Sequence, residues 1–248
     1  MVKASNTGTS DCGNINKQFS EDAVMECLKV LESGDTDSLF ELLPRIGVMR
    51  DPHFYPYLLA LLKHKEVRRR EFAACAMGAT ADESFLEPLK AAFIKTLRPG
   101  NDGGYELQTA IIEAIGALGD DNAVDFLLPE LMKNCEPADG GKKSGDAGIR
   151  RWIIGAIGAI AQQGRPRSLA ALVELAVNED QGIQIMALAE LSGAYWHRPN
   201  DISDEVLREV YGLTAGGKSA VAKAALAVLQ NLADVGCMRA EALFRREP

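Results

Sequence analysis

The segment GLTAGGKS, residues 212–219, matches the pattern G-x-x-x-x-G-K-[ST], which binds phosphates in P-loop NTPases. A working P-loop follows a buried β-strand, so that backbone N–H groups and the N-terminus of the next helix converge on the phosphates. Here the preceding residues 204–211 place their apolar side chains at helical spacing, with charged residues between them. We therefore predict that the chain binds no nucleotide.

The same eight residues are better interpreted as a turn between two helices. Gly216 and Gly217 are suited to end the first helix with a residue at positive φ, and Ser219 is suited to cap the N-terminus of the second. Lys218 is then a solvated side chain instead of a phosphate ligand.

Arginines form the next candidate group. The basic stretch 63–71 contains Arg69 and Arg70, and a second pair, Arg150 and Arg151, follows later in the chain. Their guanidinium groups are suited to bind carboxylates or phosphates, although a solvated turn with one structural arginine explains the same residues. The net charge of −8 and the pI near 5.0 disfavour nucleic acid, so we expect a protein partner.

Two tryptophans and one glutamate stand out from the apolar pattern. Trp152 is best explained as a large core residue, whereas Trp196, just before Pro199, fits an anchored turn and an interface equally well. Glu190 falls on an apolar stripe, where a carboxylate either reaches solvent at the edge of the stripe, finds an arginine or another donor, or has its pKa raised.

Histidines and cysteines show no spacing that indicates catalysis or metal binding. We predict no catalytic residues, no metal and no cofactor. The odd number of scattered cysteines fits a reducing cytoplasm. No run of about 18 apolar residues is present, so we expect no membrane span. The histidines are His53, His64 and His197, and the cysteines are Cys12, Cys27, Cys75, Cys135 and Cys237.

The elements that position these residues follow from composition and from a repeat. Only 6% of residues are aromatic, and Ala, Leu and Ile dominate the apolar fraction, which favours an all-α fold. Short stretches such as EAIGALGD and GAIGAIAQ recur at intervals of 31 to 42 residues, which is typical of a helical solenoid. The aligned positions are Gly47, Gly78, Gly116, Gly158, Ser192 and Gln230.

Each repeat contains two amphipathic stretches of helical period. We predict six helix pairs, stacked as an α-α superhelix, and a short C-terminal helix near residues 237–246. Residues 1–18 are expected to be a disordered tail, and residues 19–248 a single domain. Two long connections, 98–104 and 136–148, are either binding features or disordered insertions.

The stretches ATADESFLEPL and IRRWIIGAIGAI resemble HEAT repeats, in particular the HEAT-like repeats of phycobilin lyase subunits. The resemblance implies a structural ladder of Arg and Asp between repeats. Its arginine matches Arg68 and Arg150, with Gln108, Gln184 and Ala222 at the corresponding places of other repeats. The turn aspartate of the HEAT-like repeat matches Asp82, Asp120 and Asp234.

These observations predict a non-enzymatic scaffold or adaptor that binds a protein along the curved surface of the second helices. The resemblance implies an alternative, a phycobilin-lyase-like subunit or a cofactor-handling chaperone. Seven residues are the candidate contacts to a partner: Arg69, Arg70, Gln108, Arg150, Arg151, Gln184 and Trp196.

Overall fold

The computed structural model describes residues 20–33, 35–97, 104–133, 144–177, 180–216 and 219–244. Within these ranges all regular structure is helical, as the composition predicted, and no strand occurs. The predicted tail, most of both long connections and Lys218 lie outside the described residues. The α-helices are α1 (Glu21–Ser33), α2 (Thr36–Met49), α3 (Tyr55–Leu61), α4 (Val67–Thr80), α5 (Leu86–Thr96), α6 (Tyr105–Leu118), α7 (Val124–Lys133), α8 (Ser144–Gln162), α9 (Pro166–Ala176), α10 (Gln181–Tyr195), α11 (Asp204–Thr214), α12 (Ala220–Asp234) and α13 (Met238–Phe244).

The helices form the six predicted pairs, α1–α2 through α11–α12, and α13 packs against α12. The even-numbered helices, called the second helices below, also pack on one another in sequence from α2 to α12. The first helices of the pairs cover one side of this layer and contact each other much less. The buried apolar residues form one continuous core between the two layers. This confirms the predicted α-α superhelix.

Glycines of the repeat motif allow the second helices to pack closely. A Cβ atom on Gly78 of α4 would lie 2.8 Å from Cα of Ala114 on α6, and a Cβ on Gly116 would lie 2.9 Å from Cα of Ala156 on α8. Both distances are shorter than carbon atoms tolerate, so only glycine permits this separation between neighbouring backbones. The recurring glycine therefore sets the spacing of the second-helix layer.

Aspartates begin three of the first helices. The carboxylates of Asp51, Asp82 and Asp120 each accept a hydrogen bond from the backbone N–H two residues later, at 2.9 Å. Each of them caps a short 3-10 turn that leads into the helix. Of the three aspartates matched in the sequence, Asp82 and Asp120 thus occupy the predicted turn. Asp234 differs, because it ends α12 and accepts from the Gln230 side chain at 2.8 Å.

Candidate functional site

Each second helix leaves one stripe of side chains uncovered on the side away from the first helices. The stripes fall in register from repeat to repeat and together form a continuous surface, which we call the second-helix face. Its members are at least partly exposed to solvent. They are Phe40, Pro44 and Val48 on α2; Glu71, Cys75 and Ala79 on α4; Thr109, Glu113 and Ala117 on α6; Arg151, Gly155 and Ala159 on α8; Ile185, Ala189 and Gly193 on α10; and Lys223, Ala227 and Asn231 on α12.

Acidic groups surround a thiol on one part of the second-helix face. Burial raises the pKa of the Cys75 thiol above its usual range, and the nearby carboxylates of Glu113 and Glu71 raise it further. The thiol therefore stays protonated at neutral pH and is a weak nucleophile. Cys27 and Cys237 are buried, and Cys12 and Cys135 lie outside the described residues.

Glu190 of α10 points at the neighbouring helix α8. Its carboxylate occupies the space that the missing side chain of Gly158 leaves open, and it also approaches Gly155. Burial raises the pKa of the Glu190 carboxyl, and the positive charge of Arg151 opposes part of that rise. Of the three environments that the sequence left open, the structure therefore shows a half-buried carboxylate with a raised pKa.

Four of the candidate contacts occupy one equivalent position near the start of α4, α6, α8 and α10. Each lies eight positions before the repeat glycine (Gly78, Gly116 or Gly158) or its serine counterpart, Ser192. The four residues are Arg70, Gln108, Arg150 and Gln184. All four are half-buried. This register also corrects the sequence match, because Arg70 and not Arg68 corresponds to Arg150. The Arg68 guanidinium instead lies 5.7 Å from the centre of the Phe40 ring on α2.

Hydrogen bonds hold the two arginines of this row in different ways. Nη1 of Arg150 donates to Oδ2 of Asp180 at 3.2 Å and so joins α8 to the N-cap residue of α10. Nη1 of Arg70 donates to the backbone oxygens of His64 and Lys65, at 2.9 and 3.1 Å, in the turn before α4. Arg150 thus forms a link between repeats, with Asp180 as an acidic partner that sequence reasoning missed.

The other two arginines point to different surroundings. Nε of Arg69 donates to Oε2 of Glu66 at 3.1 Å, and the other carboxylate oxygen of Glu66 accepts from Thr36 at the start of α2. Arg151 is exposed on the second-helix face. Because α6 lies between α4 and α8, the structure does not bring the four arginines into one cluster.

The tryptophans also occupy different environments. Trp152 is half-buried against the core, as predicted, and its Nε1 donates to Oη of Tyr105 on α6 at 2.9 Å. Trp196 follows the last residue of α10 and is 49% exposed, whereas its neighbour Tyr195 is buried. Trp196 is therefore accessible to a partner, and Trp152 is mainly a packing residue.

The GLTAGGKS segment is placed as a connection between helices. Gly212 lies inside α11 instead of following a strand, and Oγ of Ser219 accepts from the Ala222 backbone N–H at 3.1 Å as the N-cap of α12. The predicted cap is thus confirmed. Gly216 does not have the predicted positive φ, and α11 ends at Thr214 with Ala215 still in right-handed geometry. Gly217 lies outside the described residues.

Across the described ranges, no group of three or more His, Cys, Asp or Glu side chains is arranged to hold a metal ion. In the same ranges, no helix has the length and apolar character that crossing a membrane requires.

Comparisons with known proteins give weak structural likenesses. No protein-family model and no curated protein matches the chain. An engineered protein of known structure shares 20% identity with a TM-score of 0.41, over 86% of this chain and 98% of that one. The complex of CpcE and CpcF of phycocyanin lyase from Nostoc sp. PCC7120 shares 18% identity with a TM-score of 0.42, over 87% of this chain and 83% of that one.

Proposed function

We propose that this chain is a non-enzymatic scaffold or adaptor that binds a protein partner along the second-helix face, in a single repeat domain over residues 19–248. The observation that carries the proposal is the in-register stacking of α2 to α12, which creates one uninterrupted surface from six exposed stripes. Helical-repeat proteins bind their partners on extended surfaces of this kind.

The chemistry of the second-helix face is suited to a protein. Small side chains, including Ala79, Ala117 and Ala159, form the row of this face near the C-terminal ends of α4, α6 and α8, so that a partner is able to approach the helices closely there. Charged groups of both signs, such as Glu113 and Arg151, lie beside them and provide specificity without excluding acidic or basic partners.

The candidate contacts contribute to this proposal to different degrees. Arg151 and Trp196 are exposed and are the strongest candidates, since exposed Arg and Trp side chains dominate many interfaces. The half-buried residues Arg69, Arg70, Gln108, Arg150 and Gln184 lie in the N-terminal halves of the second helices, beside and not on the second-helix face, and would act mainly by positioning it.

Partner capture from the native cell tests the proposal. We expect Ala117→Trp and Ala159→Trp to reduce the recovered partner by about tenfold or more, because a large side chain blocks close approach. Glu174→Trp, on the exposed side of α9, is the matched control and should leave recovery unchanged. Equal recovery with all three variants would refute binding along the second-helix face.

The alternative function is a lyase-like subunit or a cofactor-handling chaperone. A covalent role would require an activated nucleophile, and the protonated thiol of Cys75 does not supply one within the described part of the chain. Visible absorbance after mixing the protein with a bilin, absent when bovine serum albumin replaces it, would favour this alternative over the scaffold.

A further inference from the structure

A cavity of about 460 Å³ opens between α3 and α5. Leu62, Leu107 and Ile111 are buried and form its floor, whereas Lys63 and Ala91 are exposed at its mouth. The volume lies within the range of small-molecule sites, which combine apolar walls with a few polar groups. The cavity opens on the side of the first helices, with Arg70 of α4 and Leu107 and Ile111 of α6 at its inner wall, and it is therefore separate from the second-helix face.

Arg70 supplies the polar group of this cavity. Its Nη1 is fixed by the carbonyls of His64 and Lys65, so the guanidinium is held in one position. Its Nη2 is buried and has no hydrogen-bond partner. A buried donor on a charged group without an acceptor is unfavourable, and native proteins rarely retain one without a reason. The Arg70 guanidinium is thus positively charged, fixed in place and not fully hydrogen-bonded where the residue lines the cavity.

The other charged groups around the cavity favour an anion. Lys63 and Lys95 line it together with Arg70. Among the described residues of the lining, Glu87 is the carboxylate, and it is already paired with Nζ of Lys90 at 2.9 Å. Lys63 and Arg70 therefore give the described lining a positive charge, in contrast to the net charge of −8 for the whole chain.

We propose that this cavity binds a small amphipathic acid, with one carboxylate and an unbranched or aromatic apolar body. A carboxylate of the ligand pairs with the positively charged guanidinium of Arg70, and the apolar body packs on Leu59, Leu107 and Ile111. This site goes beyond the scaffold function, because it opens between the first helices α3 and α5, away from the second-helix face, and needs no protein partner.

Fluorescence of anilinonaphthalene sulfonate, an apolar anion, provides the probe. We expect its emission to rise on binding to the full chain, and decanoate to displace it at a concentration about tenfold or more below that of decanol. The two competitors share an apolar chain and differ in charge at the head group. Displacement at equal concentrations would overturn the proposal, because it would show apolar binding without recognition of the anion.

Arg70→Gln tests the assigned donor, and Gln108 and Gln184 show that glutamine already occupies this position in neighbouring repeats. We expect decanoate affinity to fall about tenfold or more while decanol affinity stays constant. Arg208→Gln, which removes a remote exposed arginine of α11, should change neither. Unchanged decanoate affinity in a folded Arg70→Gln variant would contradict the assignment.

A second variant covers the case in which Arg70→Gln fails to fold. Ala91→Trp keeps every charged group and places an indole at the exposed mouth of the cavity. We expect it to abolish binding of both the fluorescent probe and decanoate. Retention of the wild-type affinity for decanoate would place the acid elsewhere and overturn the proposal.

Discussion

Glu190 shows how one residue departs from the repeat. The equivalent positions on α6 and α8 are Ala114 and Ala156, which pack against glycines of the preceding helices. Glu190 instead extends its carboxylate over Gly158, where partial burial raises its pKa. Because a raised pKa means that the folded state disfavours the ionised form, Glu190 reduces stability wherever it is ionised in the folded protein.

Glu190→Gln should therefore stabilise the protein at pH 7, by about 1 kcal/mol or less, because it removes the cost of burying the charge. As the pH falls through the raised pKa, the wild-type carboxyl is protonated and the difference disappears. Below the ordinary carboxyl pKa of 4.5, the variant and the wild type should be equally stable. Urea unfolding at pH 7 and pH 4 measures both differences.

Glu209→Gln, on the exposed side of α11, is the control for this comparison and should change stability little at either pH. An equal free energy of unfolding for Glu190→Gln and the wild type at pH 7 would show that the carboxylate is not penalised by burial.

At the scale of the helices, the turns before α3, α5 and α7 share an aspartate cap, and one of these caps has an additional donor. Oδ2 of Asp82 accepts from Oη of Tyr55 at 2.6 Å. Hydrogen bonds from Ser84 and Tyr55 hold the pKa of the Asp82 carboxyl below its usual range. Burial and the bond to Asp82 raise the pKa of Tyr55 to about 12, so the phenol keeps its proton and continues to donate.

Asp82→Ala should destabilise the protein by about 1–2 kcal/mol at neutral pH, since it removes the cap and leaves the Tyr55 hydroxyl without its acceptor. The contribution of Asp82 is complete above the ordinary pKa of 3.8 and is lost as the pH falls through its lowered pKa. Unfolding of Asp82→Ala, Tyr55→Phe and the double variant measures it. Additive effects would contradict a direct bond between the two side chains.

The repeat glycines predict a second effect at this scale. Gly78→Ala or Gly116→Ala should each destabilise the protein by about 1–3 kcal/mol, because the new Cβ meets the backbone of the next helix. Gly212→Ala is the matched control. A Cβ on Gly212 meets nothing within 4 Å inside α11, so that substitution should stabilise the protein by about 0.5–1 kcal/mol.

Thermal or urea unfolding of these three variants separates helix propensity from packing. If all three substitutions were stabilising, the second helices would not be in the close contact that the glycines at positions 78 and 116 permit.

Much of the architecture was predictable from the sequence, because apolar periodicity and the recurring glycine report on local packing directly. The six pairs, the C-terminal helix and the Ser219 cap all followed from it. The orientation of individual polar side chains did not. Arg70, Arg150 and Arg69 look alike in the sequence, but their partners come from other turns and helices, so only the fold separates them.

The cavity lined by Arg70 was missed for the same physical reason. It depends on the separation of α3 from α5 and on an Nη2 atom left without an acceptor, and neither leaves a periodic signal. The sequence partly indicated the hydrogen bond between Tyr105 and Trp152, since a tryptophan stands where the preceding repeat has Ala110. A larger side chain at a repeated core position indicates a changed neighbour, although it does not identify that neighbour.

At the scale of the whole molecule, the two layers of helices divide the proposed tasks. The second helices present a continuous surface with a row of small residues near their C-terminal ends and charges of both signs beside it. On the other side, a cavity opens between the first helices α3 and α5, with Lys63 and Arg70 in its lining. A stacked repeat permits this division, because each layer has its own exposed side and the core between them is shared.

Site-directed photo-crosslinking in the native cell tests the central claim most directly. A photoreactive phenylalanine is placed at position 109, 117 or 159 on the second-helix face and, as controls, at 174 or 209 on the first helices. We predict a crosslinked protein adduct of the same mass from the three face positions and none from the controls. Adducts from the first-helix positions alone would contradict the proposed binding surface.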